Sequence, residues 1–502
     1  MRNVGSEKKT ALEWVSANAK SLIALSDRIW HFAEPAYREY HSAKAHCSFL
    51  REHGFTVEEG VADMPTAFVA SYGSGTPIIA TYAEYDAPAG NSQKSVPYRE
   101  PVVPYAPGHD SHNILGTNAT GGIVAAKTAM KKHGLKGTLK IFGTPAEKIM
   151  SGKTFLARAG YYDDLDAVVG NHPAFYNSVE WDENREKPYM AVAFEFFGSL
   201  EYRGTPWLGS SAIDAVALMM NNANYMKEHI GPGGWGLHEN LYVGGQTLTN
   251  LPEYTQLWYG FSAPTIEELA RIRDILVDCA EAACKVTSCS YKMRVTGFSR
   301  STLPNRSLQK LAYRNLELVG PPKFSEEEKA FCRKLQKSLG MEPMDEPLDE
   351  NLTPPWELPV RPAYMTGSDD SNEFSWYAPF CWIRVTTRIR TPTTRKYFGK
   401  SQASPWAEGA LSSTGIGHKC LVVTAKTIAL SMVELLTTPS EVEKAKAEFH
   451  ERIKERGGRE PCLIPEGTKP PIDLALPEFD GTETIVRYPT TGKAPIHPRK
   501  DR

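Results

Sequence analysis

Apolar residues Leu12, Val15, Leu22, Ile23, Leu25 and Ile29 recur as one imperfect stripe, which predicts a helix over residues 11–30. A second helix is expected over 42–53, stopped by Gly54, and short strands over 67–72 and 77–82, split by a glycine turn. Residues 84–116 form a Pro/Gly-rich stretch without a period, and a loop of that length inside a compact domain is usually functional. A helix over 120–133, a strand over 138–142, a helix over 153–159 and an apolar strand over 167–170 come next. Strands alternating with helices predict an α/β fold with a mostly parallel sheet covered on both faces. Ligand sites in such sheets gather at the carboxyl ends of the strands, here the loops AEYDAPAG, GTPAEK and NHPAF.

Near Tyr189 the pattern changes. Alternating strands over 190–197, 256–261 and 289–296, with helices over 210–229 and 265–286, predict a small antiparallel sheet with two helices on one face. The βα signals resume near Leu308, with a strand over 382–385 and an apolar helix over 418–436, so the block is an insertion. The expected divisions are 1–187 and 300–440 for the main domain, 188–299 for the inserted domain, and 441–502 for a charged, then Pro-rich tail.

A length of 502 residues, 41% hydrophobic and 23% charged, fits a globular protein with a large core. The net charge of −2 excludes an overall field that would draw the chain to nucleic acid or an anionic membrane. The polar start MRNVGSEKKT carries no apolar run behind it, and no segment reads as a membrane span, so a cytoplasmic setting is expected. The 8 cysteines are scattered without a CxxC pair, which fits a reducing compartment; Cys279, Cys284 and Cys289, five residues apart, read as packed thiols.

Four polar clusters could carry chemistry. In Gly108-His109-Asp110-Ser111-His112, a carboxylate and an imidazole two residues apart can converge on one cation, although paired histidines are also common on surfaces. Glu147 directly succeeds a strand, a position that also suits a plain helix N-terminal charge. His172 ends a strand, and His418 opens an apolar helix, where a capping or core role is equally open.

In order along the chain, AEYDAPAGNSQ, PGHDSHNILGT, GTPAEKIMSGK, DAVVGNHPAF, PWLGSSAIDAV, LPEYTQLWYGFSAPT, TGSDDSNEFSW and SSTGIGHKCLVVTAK resemble the aminobenzoyl-glutamate hydrolase branch (its B-type chain) of the zinc aminoacylase and carboxypeptidase superfamily. That branch carries EYDALPGLSQ, PGHGCGHNLLGT and GTPAEEGGGGK at the first three places, and the likeness covers roughly residues 11–470. The resemblance implies amide hydrolysis of an amino-acid-derived small molecule, a lid domain that pairs two copies, and two metal ions that activate a water beside a glutamate base. Carried over, Glu147 is the general base, His112, His172 and His418 match metal-ligand histidines, and Asp110 stands for the ligand cysteine. His109, Glu201, Tyr202 and Asp370 fall where substrate contacts are expected.

At three places the chain departs from the family pattern, and each bears on function. Lys148 stands in place of a metal-ligand glutamate, and a protonated amine has no lone pair to offer a cation. The lid's GxAxHA motif is GSLEYRG here, so Glu201 or Tyr202 replaces the histidine, and Ser262 replaces the arginine before AP. The expectation is therefore an amidohydrolase-like enzyme with one zinc, or none, on Asp110, His112 and His172. The alternatives are a metal-independent enzyme using Glu147 and Lys148 for amide formation, cyclisation, condensation or elimination, and a non-catalytic binding subunit.

Overall fold

The computed structural model describes residues 5–181, 186–231, 233–245, 247–360, 367–391 and 404–473, with two short strands at 477–479 and 484–486. The chain opens with helices α1 (Ser6–Phe32) and α2 (Tyr40–Glu52), then strands β1 (Thr56–Glu59), β2 (Phe68–Ser74) and β3 (Ile78–Ala83). Helix α3 (His112–His133), strand β4 (Gly137–Gly143), helix α4 (Gly152–Arg158) and strands β5 (Ala167–Ala174) and β6 (Ser178–Val179) complete the first half.

The inserted block holds β7 (Tyr189–Phe197), α5 (Ala212–Met226), β8 (Gly236–Val243), β9 (Tyr254–Ser262), α6 (Ile266–Thr287) and β10 (Ser290–Ser299). The chain then returns through α7 (Arg306–Val319), α8 (Glu326–Ser338), β11 (Phe380–Thr386), α9 (Pro405–Ser412), α10 (Gly415–Thr437) and α11 (Pro439–Glu455).

The main sheet is 7-stranded in the order β1-β2-β4-β3-β5-β11-β6. Its centre, β4-β3-β5-β11, is parallel, and antiparallel strands close both edges. Alternate residues feed opposite cores, as the two-residue period of a strand requires. Along β11, Cys381, Ile383 and Val385 join the core under α1, α3 and α10, while Phe380 and Trp382 join the aromatic core on the other face. The second sheet, in the order β10-β7-β9-β8, is antiparallel throughout, and α5 and α6 pack on it.

Helix α3 begins two turns earlier than the apolar period indicates, because its first turns carry buried polar residues, Asn113, Thr117 and Asn118, instead of an apolar stripe. Gly121 and Gly122 let it lie close between two helices: a Cβ on Gly121 would sit 2.7 Å from Leu22 of α1, and one on Gly122 2.7 Å from Ile428 of α10. Helix α10 is long and apolar enough to cross a membrane, but 72% of its apolar window is buried against α1, α3 and β11, as in a core helix.

Candidate functional site

The carboxyl ends of the parallel strands converge on one polar cluster. Glu84 and Asp86 come directly after β3, Glu147 and Lys148 after β4, and His172 lies in β5 near its end. Asp369 and Asp370 come from the stretch before β11, and Asp110 and His112 from the loop into α3. Strain marks both loops: Ser111 has φ 121°, and Ala146 (φ 60°) and Met150 (φ 57°), both left-handed, bracket the turn of Glu147 and Lys148.

Lys148 is the centre of the cluster. Its Nζ lies 2.8 Å from His112 Nε2 and 3.0 Å from both Glu147 Oε2 and Asp110 Oδ2, while its backbone N–H donates to Asp86 Oδ2 at 2.8 Å. His112 is held on its other side by Asp86, Nδ1 to Oδ1 at 2.8 Å. Its Nε2 also lies 3.2 Å from Glu84 Oε2 and 3.3 Å from Glu147 Oε2. Burial and the Lys148 charge oppose protonation of His112, while Glu84 and Asp86 favour it and would lift its pKa to about 9. The 2.8 Å N···N contact decides against the doubly charged pair, because it has room for only one proton. With Asp110 and Glu147 against Nζ, that proton stays on the lysine, and His112 is the neutral tautomer that donates from Nδ1 to Asp86.

The charges around the ammonium fix its neighbours. Burial works against the Lys148 charge, but Asp110 and Glu147 outweigh it and raise its pKa well above the ordinary lysine value. Burial likewise raises Asp110, but the Lys148 ammonium beside it overcomes this and holds that carboxyl down at about 2. Deeper in, burial pushes Glu84 up to about 7, with Lys153 opposing. The fully buried Lys153 Nζ reaches Glu84 Oε1 at 2.7 Å and Asp370 Oδ1 at 2.5 Å, over the Tyr82 ring.

The other expected site residues lie around or away from this cluster. His172 has Nδ1 on the carbonyl of Pro173 at 2.9 Å and Nε2 4.0 Å from Asp369; burial, then Arg384 and Arg388, keep it neutral. His109 turns Nε2 to the Ile29 carbonyl at 2.9 Å. Asp370 is fully buried on Lys153 rather than open to a ligand. His418 stands apart from the ligand set expected for it: its Nε2 pairs with Asp27 of α1 at 2.9 Å. Glu201 and Tyr202 lie on the loop after β7, where Tyr202 is exposed and bridges Asn250. Glu84, Asp86, Lys153 and Asp369, absent from the sequence candidates, complete the cluster; the signal for the first two was their place directly after an apolar strand.

Among the described residues, two groupings bring ligand atoms within 4.8 Å of one another and could hold a metal ion: Glu84, His112 and Glu147, and Glu84, Asp369 and Asp370. In the first, the ammonium of Lys148 already meets His112 and Glu147, so the donors present do not fit a zinc ion while that side chain keeps its place.

The chain is an α/β protein in which a mostly parallel sheet ends in an acid cluster and an antiparallel sheet is inserted. No family model matches the chain. Over nearly its whole length it is similar to the B-type chain of p-aminobenzoyl-glutamate hydrolase from Escherichia coli K12, with 28% identity over 486 residues, 91% of this chain and 97% of that protein. Human Xaa-Arg dipeptidase is 28% identical over 335 residues, 64% of this chain and 73% of its own. The crystal structure of an aminobenzoyl-glutamate utilization protein from Klebsiella pneumoniae shares the fold, with a TM-score of 0.53 at 14% identity over 83% of this chain and 97% of that one.

Proposed function

We propose that the protein is an amidohydrolase-like enzyme acting on the amide of an amino-acid-derived small molecule. The observation that carries this reading is the pairing of Glu147 and Lys148, 3.0 Å apart at the edge of a buried polar cluster, with the Lys148 side chain partly open to solvent. The names of the relatives, one chain of a p-aminobenzoyl-glutamate hydrolase and an Xaa-Arg dipeptidase, support an amide substrate.

The ammonium of Lys148 faces the amide oxygen and stabilises the negative charge that grows there. Glu147 takes the proton of the attacking water and returns it to the nitrogen as the C–N bond breaks, which leaves a carboxylate and an amine. His112, fixed by Asp86, accepts from the Lys148 ammonium and helps to hold it in place. A single zinc on Asp110, His112 and His172 is the finer alternative and requires Lys148 to withdraw from its three contacts. A second reading, the same acid–base pair used for condensation, cyclisation or elimination, is favoured by that ammonium, since it needs no metal-bound water.

The test is turnover of a panel of p-aminobenzoyl-glutamate, dipeptides and N-acyl amino acids by the full chain, and then by Glu147→Gln. That change keeps the shape and removes the base, so the rate should fall by about 10²–10⁴-fold. Equal turnover by the variant rejects the assignment, amide formation from acid and amine selects the second reading, and no turnover of any substrate points to a non-catalytic binding role.

A homodimer through the second sheet belongs to the same proposal, in a cytoplasmic setting that suits eight unpaired cysteines. Strand β8 has one neighbour in its sheet, and Tyr202, Trp207, Tyr225 and Leu248 are exposed on the inserted block. A monomer in sedimentation at micromolar concentration counts against it, and a complex requiring a different chain replaces it, since the bacterial relative is named as a subunit.

A further inference from the structure

Lys153 and Lys148 are both set among carboxylates, but they differ in what they imply. Lys153 stands where the resembled motif GTPAEEGGGGK also ends in lysine, and it is fully buried, with its backbone N–H donating to Asp370 as well. The grouping of Glu84, Asp369 and Asp370 is therefore closed by a residue the motif shares. Lys148 replaces a glutamate, and its side chain remains 22% exposed. It closes the other grouping from the open side.

We infer that Lys148 is a tethered substitute for a metal ion, which keeps divalent cations out of the Glu84–His112–Glu147 grouping, and that its removal alone turns this grouping into a single-ion site.

Three features of the geometry carry this. The first is position: Nζ meets His112 Nε2, Glu147 Oε2 and Asp110 Oδ2 at 2.8–3.0 Å, so it stands among the atoms a cation would use. Those distances suit an N–H donor, whereas zinc needs about 2.0–2.2 Å from the same atoms. The second is the lone-pair count. His112 spends Nδ1–H on Asp86, so the one lone pair it can offer a metal is the one that accepts from Lys148. An entering ion must displace the ammonium from that lone pair and then tolerate a like charge nearby.

The third is how the donors are held. Asp86 grips both the imidazole of His112 and the backbone N–H of Lys148, so the donors keep their places when only the lysine side chain changes. Second contacts of this kind orient metal-ligating histidines in general. Asp110 Oδ1 is buried without a hydrogen-bond partner, which leaves a carboxylate oxygen free to serve as a further ligand once the ammonium is gone. The exclusion of metal holds whichever bond the enzyme acts on, and its readout is metal uptake instead of turnover.

The test uses the full chain, stripped with chelator and titrated with zinc, measured by elemental analysis, and with cobalt(II), monitored by its visible d–d absorption. The wild type should take up no stoichiometric zinc and show no cobalt band. Lys148→Glu should bind about one ion per chain with the band of a low-symmetry, tetrahedral-like site. Lys148→Gln should bind more weakly at the same place, and Lys148→Arg, which keeps the charge, should stay metal-free. Stoichiometric zinc in the wild type, lost on Asp110→Asn, overturns the inference. So does a Lys148→Glu chain that melts cooperatively yet binds nothing. If Lys148→Glu does not fold, the wild-type and Lys148→Gln titrations decide by the same criteria.

Discussion

The hydroxyl of Ser151 donates to the carbonyl of Thr296 at 2.6 Å, and this bond ties the turn of Glu147 and Lys148 to the last strand of the second sheet. Tyr37 donates to the same hydroxyl at 2.6 Å, and the N–H of Phe298 donates to the carbonyl of Met150 at 2.8 Å. The first domain half holds the turn as well, through Asp86, just after β3, on the Lys148 N–H and Glu39, at the start of α2, on the Ala146 N–H, both at 2.8 Å. The position of the second sheet therefore helps to set the position of the Lys148 ammonium.

Gly297 makes that contact possible. It sits at the irregular step in the pairing of β10 with β7, and a Cβ there would lie 2.0 Å from the Ile149 carbonyl oxygen and 2.7 Å from that of Met150. Both obstacles are backbone, so neither can swing aside. Gly297→Ala should lower stability by about 1–3 kcal/mol, the range for overpacking, and reduce turnover by displacing Lys148. Ser151→Ala should cost about 1–3 kcal/mol, because it removes both bonds of that hydroxyl and leaves the buried Tyr37 hydroxyl without its partner. Thermal melts of the two variants check this; a Gly297→Ala protein that melts like the wild type would show that β10 does not constrain the turn.

The longer elements of the first half and of the inserted block were legible from the sequence because apolar period and strand length agree with their burial, whereas β1, β6, α7 and α9 had no expectation of their own. Strand β8 was not legible, since as an outer strand with one neighbour it alternates weakly and is mostly open to water. Helix α8 was overlooked although Ser325 and Glu328 form a capping box that the sequence spells out. In the site, Glu147 could be read from its place after β4 and Lys148 from the resembled motif, but the partner that takes His418 aside, Asp27, lies 391 residues away and leaves no local trace. Lys153 was equally hidden, because nothing in a sequence separates a buried lysine from a solvated one until Asp370 is brought to it.

His46 should govern part of the acid limb of stability. Its ring is fully buried, with Nδ1 2.9 Å from the Thr120 hydroxyl and no partner for Nε2. Burial, aided by the charge of Arg28, lowers its pKa from 6.5 to about 3. The unfolded chain then binds a proton in that interval that the folded chain does not. This stability is present above about pH 6.5 and is lost as pH falls from there toward 3, at up to about 1.4 kcal/mol per pH unit. Replacing His46 with Asn should flatten the stability slope between pH 6 and 4 by about that amount, whatever its effect at pH 7. Parallel slopes for the two proteins in urea titrations would remove His46 from the acid limb.

Lys153 should be the costliest side chain of the site to lose. Its Nζ is within 2.7 Å of Glu84 and 2.5 Å of Asp370, and all three side chains are fully buried. Lys153→Met keeps the length and removes the charge, leaving two carboxylates facing each other without a cation. Breaking a buried pair in this way costs about 3–5 kcal/mol. The loss should also depend on pH. Burial raises Glu84 to about 7 and raises Asp370 as well, and Lys153 opposes the rise in both. Without the lysine both carboxyls move further above their unfolded values of about 4.3 and 3.9. A folded carboxyl that binds protons more tightly than the unfolded one makes stability fall as pH rises through that window. The deficit of Lys153→Met should therefore be small at pH 5.5, where both carboxyls take up protons, and largest at pH 8, where folding must bury them charged or keep them protonated against the solvent. Urea denaturation of both proteins at the two pH values measures it, and a deficit equal at both would mean that the lysine contributes packing and no charge balance.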